Sequence, residues 1–411
     1  MGSIQENEES INLINRLSHL AHRLSDYQDF EAKRESLQIS KALTVELEQP
    51  ENVAVDMAFS PMIAASARIA LDVDLFTLIV QYGPVTSARL AELSGAEELL
   101  ISMACLVPGP CFTNRVNIVR VLRPLSAIHF VEETATRTWQ ATRITQAMAK
   151  NEIAAGHRMV SGLIVPAIQS APEYFLARGH FCPVDSKDGL VQQAFQTEQT
   201  TFERITSLPS LLKDFNLFMG NTMGARKYWV DWYPVQEQIL NGADPNTALI
   251  VDFGAGKGHD LTAFQERFPN TGQLVLEDLE AVTDTLDLDP TIQKVPYDFF
   301  TEQPVQGARV YFYHHILHDW PDSYCLQILK RVAAAMTPGY SKLLLHEMLV
   351  LEQGAPHFQA QLDMTMMAFN SGMERTRKQW QALLEAAGLR VVKFGDPVDE
   401  AGDGIVEAMK V

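Results

Sequence analysis

The stretch ALIVDFGAGKGHDL, residues 248–261, decides the fold of this 411-residue chain. Its first half is an apolar run of the kind that forms a buried strand. Gly254, Gly256 and Gly258 follow it, and glycines at such a point let the backbone turn sharply and approach a ligand in front of a helix N-terminus. The stretch therefore predicts a strand, a ligand-binding loop and a helix.

The C-terminal part of the chain repeats this alternation after a linker at 241–247. Strands that alternate with helices form a parallel sheet covered on both faces, so the sequence predicts an α/β domain. Strand-like runs lie at 272–279, 308–317, 341–350, 389–396 and 405–411, and helical runs lie at 259–268, 323–336 and 376–388.

The N-terminus carries an apolar stripe in an otherwise polar segment. Leu13, Leu17, Leu20 and Leu24 repeat at helical spacing. No other apolar stretch lies nearby, so the stripe has to be buried on a second copy of the chain or on a distant part of its own. We favour the second copy, which predicts a dimer arm.

The region after this arm reads as mostly helical. Short helices are expected over 58–100, with Thr86 as the N-cap of one that Gly95 ends, and a hairpin is expected over 130–142. This order is a winged-helix pattern. The segment 103–117 looks like an insertion that forms an irregular loop, because its prolines cannot continue a helix.

Composition narrows the classes of function. The net charge of −18 and the lack of a basic cluster argue against nucleic acid as a partner. Four cysteines without a CxxC pair favour a reduced, cytoplasmic protein. The N-terminus has no apolar signal core, and no apolar run suggests a membrane span.

Acids follow three successive strands. Asp252 precedes the glycine loop, Asp278 ends the next strand, and Asp298 closes the strand after it, beside the aromatic Phe299. The loop reads G-x-G-x-G rather than the dinucleotide pattern G-x-G-x-x-G. A nucleoside without pyrophosphate suits this set, with Asp278 on the ribose and Asp298 and Phe299 on adenine. S-adenosylmethionine (SAM) is such a ligand, although Asp298 alone could equally be a helix cap.

Four motifs, VDFGAGKG, LVLEDLE, HHILHDWPD and GMERTRKQW, occur in this order. They resemble the SAM-dependent O-methyltransferases of fungal secondary metabolism, relatives of the caffeic acid O-methyltransferase type. The resemblance implies a class I, Rossmann-like methyltransferase domain over 241–411. It also implies a dimerisation, winged-helix and substrate-lining domain over 51–240, behind the helical dimer arm at 1–50.

The resemblance also assigns roles around the HDW motif. His318 corresponds to the general base, Glu347 and Glu374 to acids that orient it, and Asp319 to an acid on the SAM side. A neutral imidazole suits this role because its ordinary pKa of about 6.5 lies close to working pH.

A metal reading of the same motif is disfavoured. Successive strand residues point to opposite faces, so His314 and His315 are not expected to face one ion. His346 and Glu347 lack the second histidine of an H-E-x-x-H motif. No metal is predicted, and whether His314 contacts SAM or only packs stays open.

The helical part is expected to line the substrate pocket. His157 is a polar residue in an apolar helix and could reach substrate, and ordinary core packing is the alternative for every candidate. The candidates are His157, Phe195, Met219, Trp229, Trp232 and Met366.

The sequence therefore predicts a SAM-dependent O-methyltransferase that acts on a hydroxyl of a small aromatic or polyketide-type metabolite as a homodimer. Two alternatives remain. Some members of the family are methyltransferase-like pericyclases, which use SAM without transferring its methyl group. A winged-helix DNA-binding regulator is the minor alternative.

Overall fold

The computed structural model describes residues 2–26, 29–96, 103–106, 115–118, 120–220, 228–397 and 402–410. The chain divides into two compact units, Met1–Ala147 and Met148–Val411. The second unit thus contains both the sheet and the helices that precede it. The predicted division at residues 50 and 240 stays a prediction.

The first unit is mostly helical, as predicted. Its helices are α1 (Gly2–Leu20), α2 (Phe30–Leu47), α3 (Pro50–Asp72), α4 (Leu75–Tyr82), α5 (Ser87–Ser94), α6 (Leu122–Ala127) and α7 (Arg143–Met148), and its strands are β1 (Val85–Thr86), β2 (Met103–Leu106), β3 (Arg115–Ile118), β4 (Val131–Ala135) and β5 (Thr138–Ala141).

The leucine stripe is buried within its own chain, which corrects the favoured reading. Leu13 and Leu20 form a small core with Ala32 and Ile39 of α2, with Leu17 packed against it. Leu24, by contrast, is exposed. Residues 30–47 form an amphipathic helix that the sequence reading did not count as an apolar partner, so the stripe needs no second chain.

In the middle of this unit, the observed elements agree more closely with those that the sequence predicts. The Thr86 side chain accepts a hydrogen bond from Arg89 N at the start of α5, and Gly95 is left-handed at its end. Strands β4 and β5 pair antiparallel, which confirms the hairpin. In the insertion, β2 and β3 pair antiparallel rather than forming an irregular loop, while residues 107–114 lie outside the described residues.

Helix α3 bears on the prediction that no segment spans a membrane. Among the described residues it is the one helix long and apolar enough to cross a membrane, judged by length and composition alone. Only 17% of that window is buried. No continuous apolar run is visible in the sequence, because Asp56 and Arg68 interrupt it. One such helix is weak support for a membrane span, since a helix that packs on another chain has the same composition.

The second unit begins with helices. They are α8 (Asn151–Met159), α9 (Val165–Gln169), α10 (Ala171–Ala177), α11 (Leu190–Phe195), α12 (Thr201–Ser207) and α13 (Pro209–Met219), with π-helical turns at Val160–Ile164 and Gln236–Leu240 and a 3₁₀ turn at Trp229–Asp231.

A seven-stranded sheet follows, in the order β13-β14-β10-β9-β6-β7-β8. Its strands are β6 (Ala248–Phe253), β7 (Gln273–Asp278), β8 (Ile292–Pro296), β9 (Val310–His314), β10 (Lys342–Glu347), β13 (Leu389–Gly395) and β14 (Gly404–Lys410). Strands β6 to β10 pair in parallel, and β14 is antiparallel to both of its neighbours. The α/β prediction is confirmed.

Helices cover both faces of this sheet. The remaining elements are α14 (His259–Arg267), α15 (Glu280–Thr283), α16 (Asp322–Ala335), α17 (His357–Asn370), α18 (Arg377–Ala386), the short strands β11 (Leu349–Val350) and β12 (Arg375–Thr376), and a 3₁₀ turn at Leu317–Asp319. Apolar residues of α16 and α18 form one core with the sheet, and those of α14 form another with Trp229. The parallel strands therefore end at one common edge, where ligands bind in this class of fold.

Candidate active site

The glycine loop lies at this edge and adopts backbone angles that favour glycine. The φ angles of Gly254, Gly256 and Gly258 are +59°, +54° and +72°. A Cβ atom on Gly254 would lie 2.7 Å from Ile316 Cδ1, and one on Gly256 would meet nothing within 4 Å. The loop thus packs against the segment that carries His318 while leaving open space at Gly256.

Asp278 ties this loop to the next strand. Its carboxylate accepts hydrogen bonds from the backbone N–H groups of Gly256 at 2.8 Å and Leu279 at 2.7 Å. Burial raises the pKa of Asp278, and these two bonds act to lower it. The carboxylate is therefore oriented in advance beside the glycine loop, where it could hold ribose hydroxyls.

Asp252 is buried near the end of β6, and one oxygen of its carboxylate, Oδ2, lacks a hydrogen-bond partner among the described residues. Burial, followed by the nearby Asp260, Asp278 and Glu277, raises the pKa of Asp252 well above its usual range. A bound cation would stabilise the ionised carboxylate against both burial and the repulsion of the neighbouring acids. The site therefore fits the ammonium group of SAM.

Asp298 and Phe299 follow β8, as predicted. Asp298 Oδ1 accepts a hydrogen bond from Phe300 N at 3.0 Å. The Phe299 ring lies edge-on to Trp320, with centroids 6.1 Å apart, and a Cβ atom on Gly254 would lie 4.0 Å from it. Phe299 therefore stands beside the glycine loop, while Asp298 stabilises a local turn and caps no helix among the described residues.

His318 lies in the 3₁₀ turn that follows β9, and residues near Glu374 fix this turn. The buried Arg375 donates hydrogen bonds to the carbonyls of Leu317 and Trp320, both at 2.9 Å. Gly372 packs so closely on the turn that a Cβ atom there would lie 2.1 Å from His318 O. No larger residue fits at 372 without moving the turn.

Three carboxylates surround the buried His318 ring. Nδ1 lies 2.7 Å from Glu374 Oε1 and 4.0 Å from Glu347 Oε2, and Nε2 lies 3.6 Å from Asp319 Oδ1. Burial acts to lower the pKa of His318, but the three acids outweigh it and raise the pKa to about 10. The three acids therefore favour the protonated imidazole at neutral pH, whereas the sequence predicts a neutral ring with an ordinary pKa near 6.5.

The two supporting glutamates act differently. Glu374 contacts the imidazole directly, as predicted for an orienting acid. Glu347 instead accepts hydrogen bonds from Ile316 N at 3.2 Å and Leu317 N at 2.9 Å, and so holds the backbone that leads to His318. Burial raises the pKa of Asp319 to about 7, although the neighbouring His318 acts to lower it.

A second group of acids and imidazoles lies beside the first. His314 pairs with His346 across the sheet, and their ring centroids are 4.1 Å apart. His314 Nδ1 lies 2.7 Å from Asp260 Oδ2, and His315 Nε2 lies 2.9 Å from Asp403 Oδ1. We call these residues the histidine cluster: Asp260, His314, His315, His346 and Asp403.

The cluster overturns the argument that His314 and His315 point apart. Strand β9 ends at His314, and His315 has a left-handed φ of +52°. Strand alternation therefore stops one residue too early for the argument to apply. The ligand atoms of His314, His315 and Asp403 lie within 4.8 Å of one another, as do those of Asp260, His314 and His346.

The substrate-lining candidates occupy different environments. His157 is partly buried, which lowers its pKa, and the guanidinium of Arg204 lies 3.9 Å from the Phe195 ring centroid. Met219 is exposed and Met366 is buried. Trp232 lies beside His346, with ring centroids 6.1 Å apart.

Trp229 packs in the core beneath the sheet. It stacks on Phe312 at 4.9 Å between ring centroids, and it is 1% exposed. This is the core environment that was the alternative for every lining candidate.

Four residues that shape this region are not identified by the sequence motifs. Asp260 stands in the first turn after the glycine loop, which could have drawn attention to it. In the sequence, His346 stands out only as the first residue of an incomplete H-E-x-x-H motif. Arg375 lies inside the quoted motif GMERTRKQW, yet nothing in the sequence signals that it is buried. Asp403 carries no signal, because only the sheet order brings β14 next to β10.

Comparisons with known proteins find relatives that match the chain over its full length. A family model described as an O-methyltransferase domain matches residues 231–390. The chain is 59% identical to the O-methyltransferase penC of Penicillium thymicola over 100% of both chains.

Solved structures share the fold. LepI in complex with SAM has a TM-score of 0.83 and 27% identity, with 98% of this chain and 100% of that chain covered. A structure described as a pericyclic reaction enzyme matches with the same TM-score, identity and coverage.

Proposed function

Because this chain belongs to the SAM-dependent O-methyltransferase family, we propose that it methylates a hydroxyl group of a small aromatic or polyketide-type metabolite. The observation that carries the proposal is the buried pair of His318 and Glu374. Ile316, two residues before His318, packs on Gly254 of the glycine loop. The proposed base and the proposed nucleoside site would therefore lie at one sheet edge.

SAM would be held along the ends of three strands. Asp252 would face its ammonium group, Gly254, Gly256 and Gly258 its amino-acid end, and Asp278 its ribose. Asp298 and Phe299 would hold adenine, and Asp319 would lie on the sulfonium side. When bound, SAM supplies an electrophilic methyl group. The Nδ1 atom of His314 contacts Asp260, so only its Nε2 atom would be left to contact SAM.

His318 would take the proton of the substrate hydroxyl at Nε2, while Nδ1 stays bonded to Glu374. Since its pKa of about 10 keeps the ring protonated at neutral pH, the base has to lose a proton before it can act. A cation near Asp319 would favour that loss, because like charges lower the pKa of an imidazole. Alignment of the reacting atoms would supply much of the remaining acceleration.

A pericyclic reaction is the second candidate function. The observation that favours it is the three carboxylates around His318, which favour the protonated imidazole and so make Nε2 a hydrogen-bond donor rather than a base. Such a donor could polarise a substrate carbonyl without removing a proton. The solved structure described as a pericyclic reaction enzyme has the same fold.

One experiment separates the two functions. The chain is incubated with SAM and candidate aromatic, polyketide or pyridone metabolites, and S-adenosylhomocysteine is measured by mass spectrometry. Methylated product with one S-adenosylhomocysteine per turnover supports the proposal. Product without S-adenosylhomocysteine, formed also with sinefungin in place of SAM, contradicts it and supports the pericyclase.

The proposal also covers the residues that contact substrate and the oligomeric state of the protein. The candidates His157, Phe195, Met219, Trp232 and Met366 would contact substrate, with Trp229 packed behind them. Residues 1–50 and 51–240 would serve dimerisation and substrate binding. We propose a cytoplasmic homodimer, supported by the exposed apolar side chains of α2 and α3, which include Phe30, Val45, Phe59 and Met62.

A further inference from the structure

The histidine cluster contains buried polar atoms that the proposed chemistry does not use. His314 Nε2, His346 Nδ1 and Asp260 Oδ1 are shielded from solvent, and none forms a hydrogen bond with any residue in the described part of the chain. His346 is only 1% exposed. Buried polar atoms in native proteins nearly always have a partner. Three unmet atoms in one cluster therefore indicate a missing ligand.

The chemistry of these atoms identifies the ligand class. Two imidazole nitrogens and a carboxylate oxygen are donors that suit Zn²⁺, Co²⁺, Ni²⁺ and Fe²⁺. We propose that Asp260, His314 and His346 bind one divalent transition-metal cation of the Zn²⁺ class. The site lies beside the methyltransferase centre and shares none of the proposed proton-handling residues with it.

The present geometry needs little change to admit such an ion. One ligand atom from each of the three residues already lies within 4.8 Å of the other two. Bonds of about 2.0–2.2 Å to Zn²⁺ place neighbouring ligand atoms roughly 3–3.5 Å apart.

The residues around Asp260, His314 and His346 favour the binding of a cation. The partly buried ring of His315 lies beside His314, and Asp403 lies on that side of the cluster. A carboxylate or imidazole behind a ligating histidine commonly fixes its orientation and strengthens its bond to the metal. The side chains of Asp260 and His314 each keep 14% exposure, which leaves a route from solvent.

A shared proton is the competing explanation. A proton between Asp260 and His314 accounts for their short contact but leaves Nδ1 of His346 without a partner. A cation held by all three residues satisfies that nitrogen as well. Metal would also join α14, β9 and β10, and so stabilise the edge of the sheet beneath the glycine loop.

The test is metal content of the full chain, purified with its affinity tag removed and then treated with chelator. Zn²⁺ or Co²⁺ is added back, unbound ion is removed by gel filtration, and bound metal is measured by mass spectrometry. We expect about one equivalent per chain, a Co²⁺ absorption spectrum of nitrogen and oxygen ligation, and a melting temperature raised by about 5 °C.

Two variants and a control locate the ion. His346→Leu and Asp260→Asn should each lower metal affinity by at least about tenfold, whereas His357→Ala changes an exposed histidine outside the cluster and should bind like the parent. Circular dichroism checks that each variant is folded. Absence of stoichiometric metal in the folded parent, or undiminished binding in both folded variants, overturns the inference. Substrate and SAM are omitted, so either result is independent of methyl transfer.

Discussion

At the scale of single residues, the protonation of His318 decides what the site can do. Family likeness assigns this ring the role of a base, but its three acidic neighbours stabilise the protonated ring. Those neighbours lie at 319, 347 and 374, so no local window of sequence shows them together. The sequence motif suggests the role of His318, whereas the affinity of this ring for protons depends on distances that only the fold sets.

His318→Ala should lower turnover by about 10²–10⁴ if the ring removes a proton in the methyl-transfer step. SAM affinity should change little, because the residues proposed to hold SAM stay in place. Steady-state kinetics and calorimetry on one preparation measure both quantities. Unchanged turnover with folded protein would remove His318 from the mechanism.

Glu374→Gln should move the pH dependence of the reaction to lower pH. In the parent, a base with a pKa raised to about 10 should make kcat/KM rise on the alkaline side of pH 7. Glutamine keeps the shape of Glu374 but removes the nearest negative charge, so the pKa of His318 should fall. The pH profile of kcat/KM reports this shift, and Glu385→Gln, an exposed acid on α18, is the control. A midpoint that does not move would contradict the proposed pairing.

At the scale of elements, the alternation of strands and helices was readable because each buried strand is an apolar run. The glycine loop was equally clear, since its spacing prescribes both the turn and the following helix. The histidine cluster was not readable, because strand alternation was extended one residue too far at His315. Nothing in the sequence marks a left-handed histidine, and the tertiary contacts that hold it are distant in the chain.

Asp278→Ala should weaken SAM binding by at least about 100-fold. Two hydrogen bonds from ribose hydroxyls to a charged acceptor would be lost, each worth about 1.5–3 kcal/mol. The anchor of Gly256 N would be lost as well. Calorimetry measures the affinity, with the exposed Asp284→Ala as control. Equal affinities for the two variants would place the ribose elsewhere.

At the scale of the whole molecule, pH should control stability through the same buried ring. The pKa of His318 is raised from 6.5 to about 10 on folding, so the native state holds this proton more tightly than the unfolded chain. The stabilisation is complete below about pH 6.5 and disappears as pH rises through about 10. Melting temperatures between pH 6.5 and 10 should therefore fall, with a shallower slope for His318→Gln. Parallel slopes would indicate that other groups control the effect.

The assembly should be a dimer whose contact includes α2 and α3. The leucine stripe of α1 no longer supports this, since α2 covers it. The exposed apolar residues of α2 and α3 now carry the argument, because large exposed apolar patches mark interaction surfaces. Light scattering at micromolar concentration should give twice the chain mass, and Phe59→Glu should shift it toward the monomer. A monomeric parent would contradict the proposal.

The clamp that Arg375 and Gly372 place on the His318 turn has a consequence for redesign. These residues and Glu374 belong to one short segment, so contacts from that segment both orient His318 and hold its turn in place. Among the described residues, helices α8 to α13 contribute no hydrogen bond to Gly372, Glu374 or Arg375. An engineer who exchanges the proposed substrate-lining helices should therefore keep the same chemistry, provided that Thr201 still donates to the Phe369 carbonyl and Phe202 still stacks on Trp320.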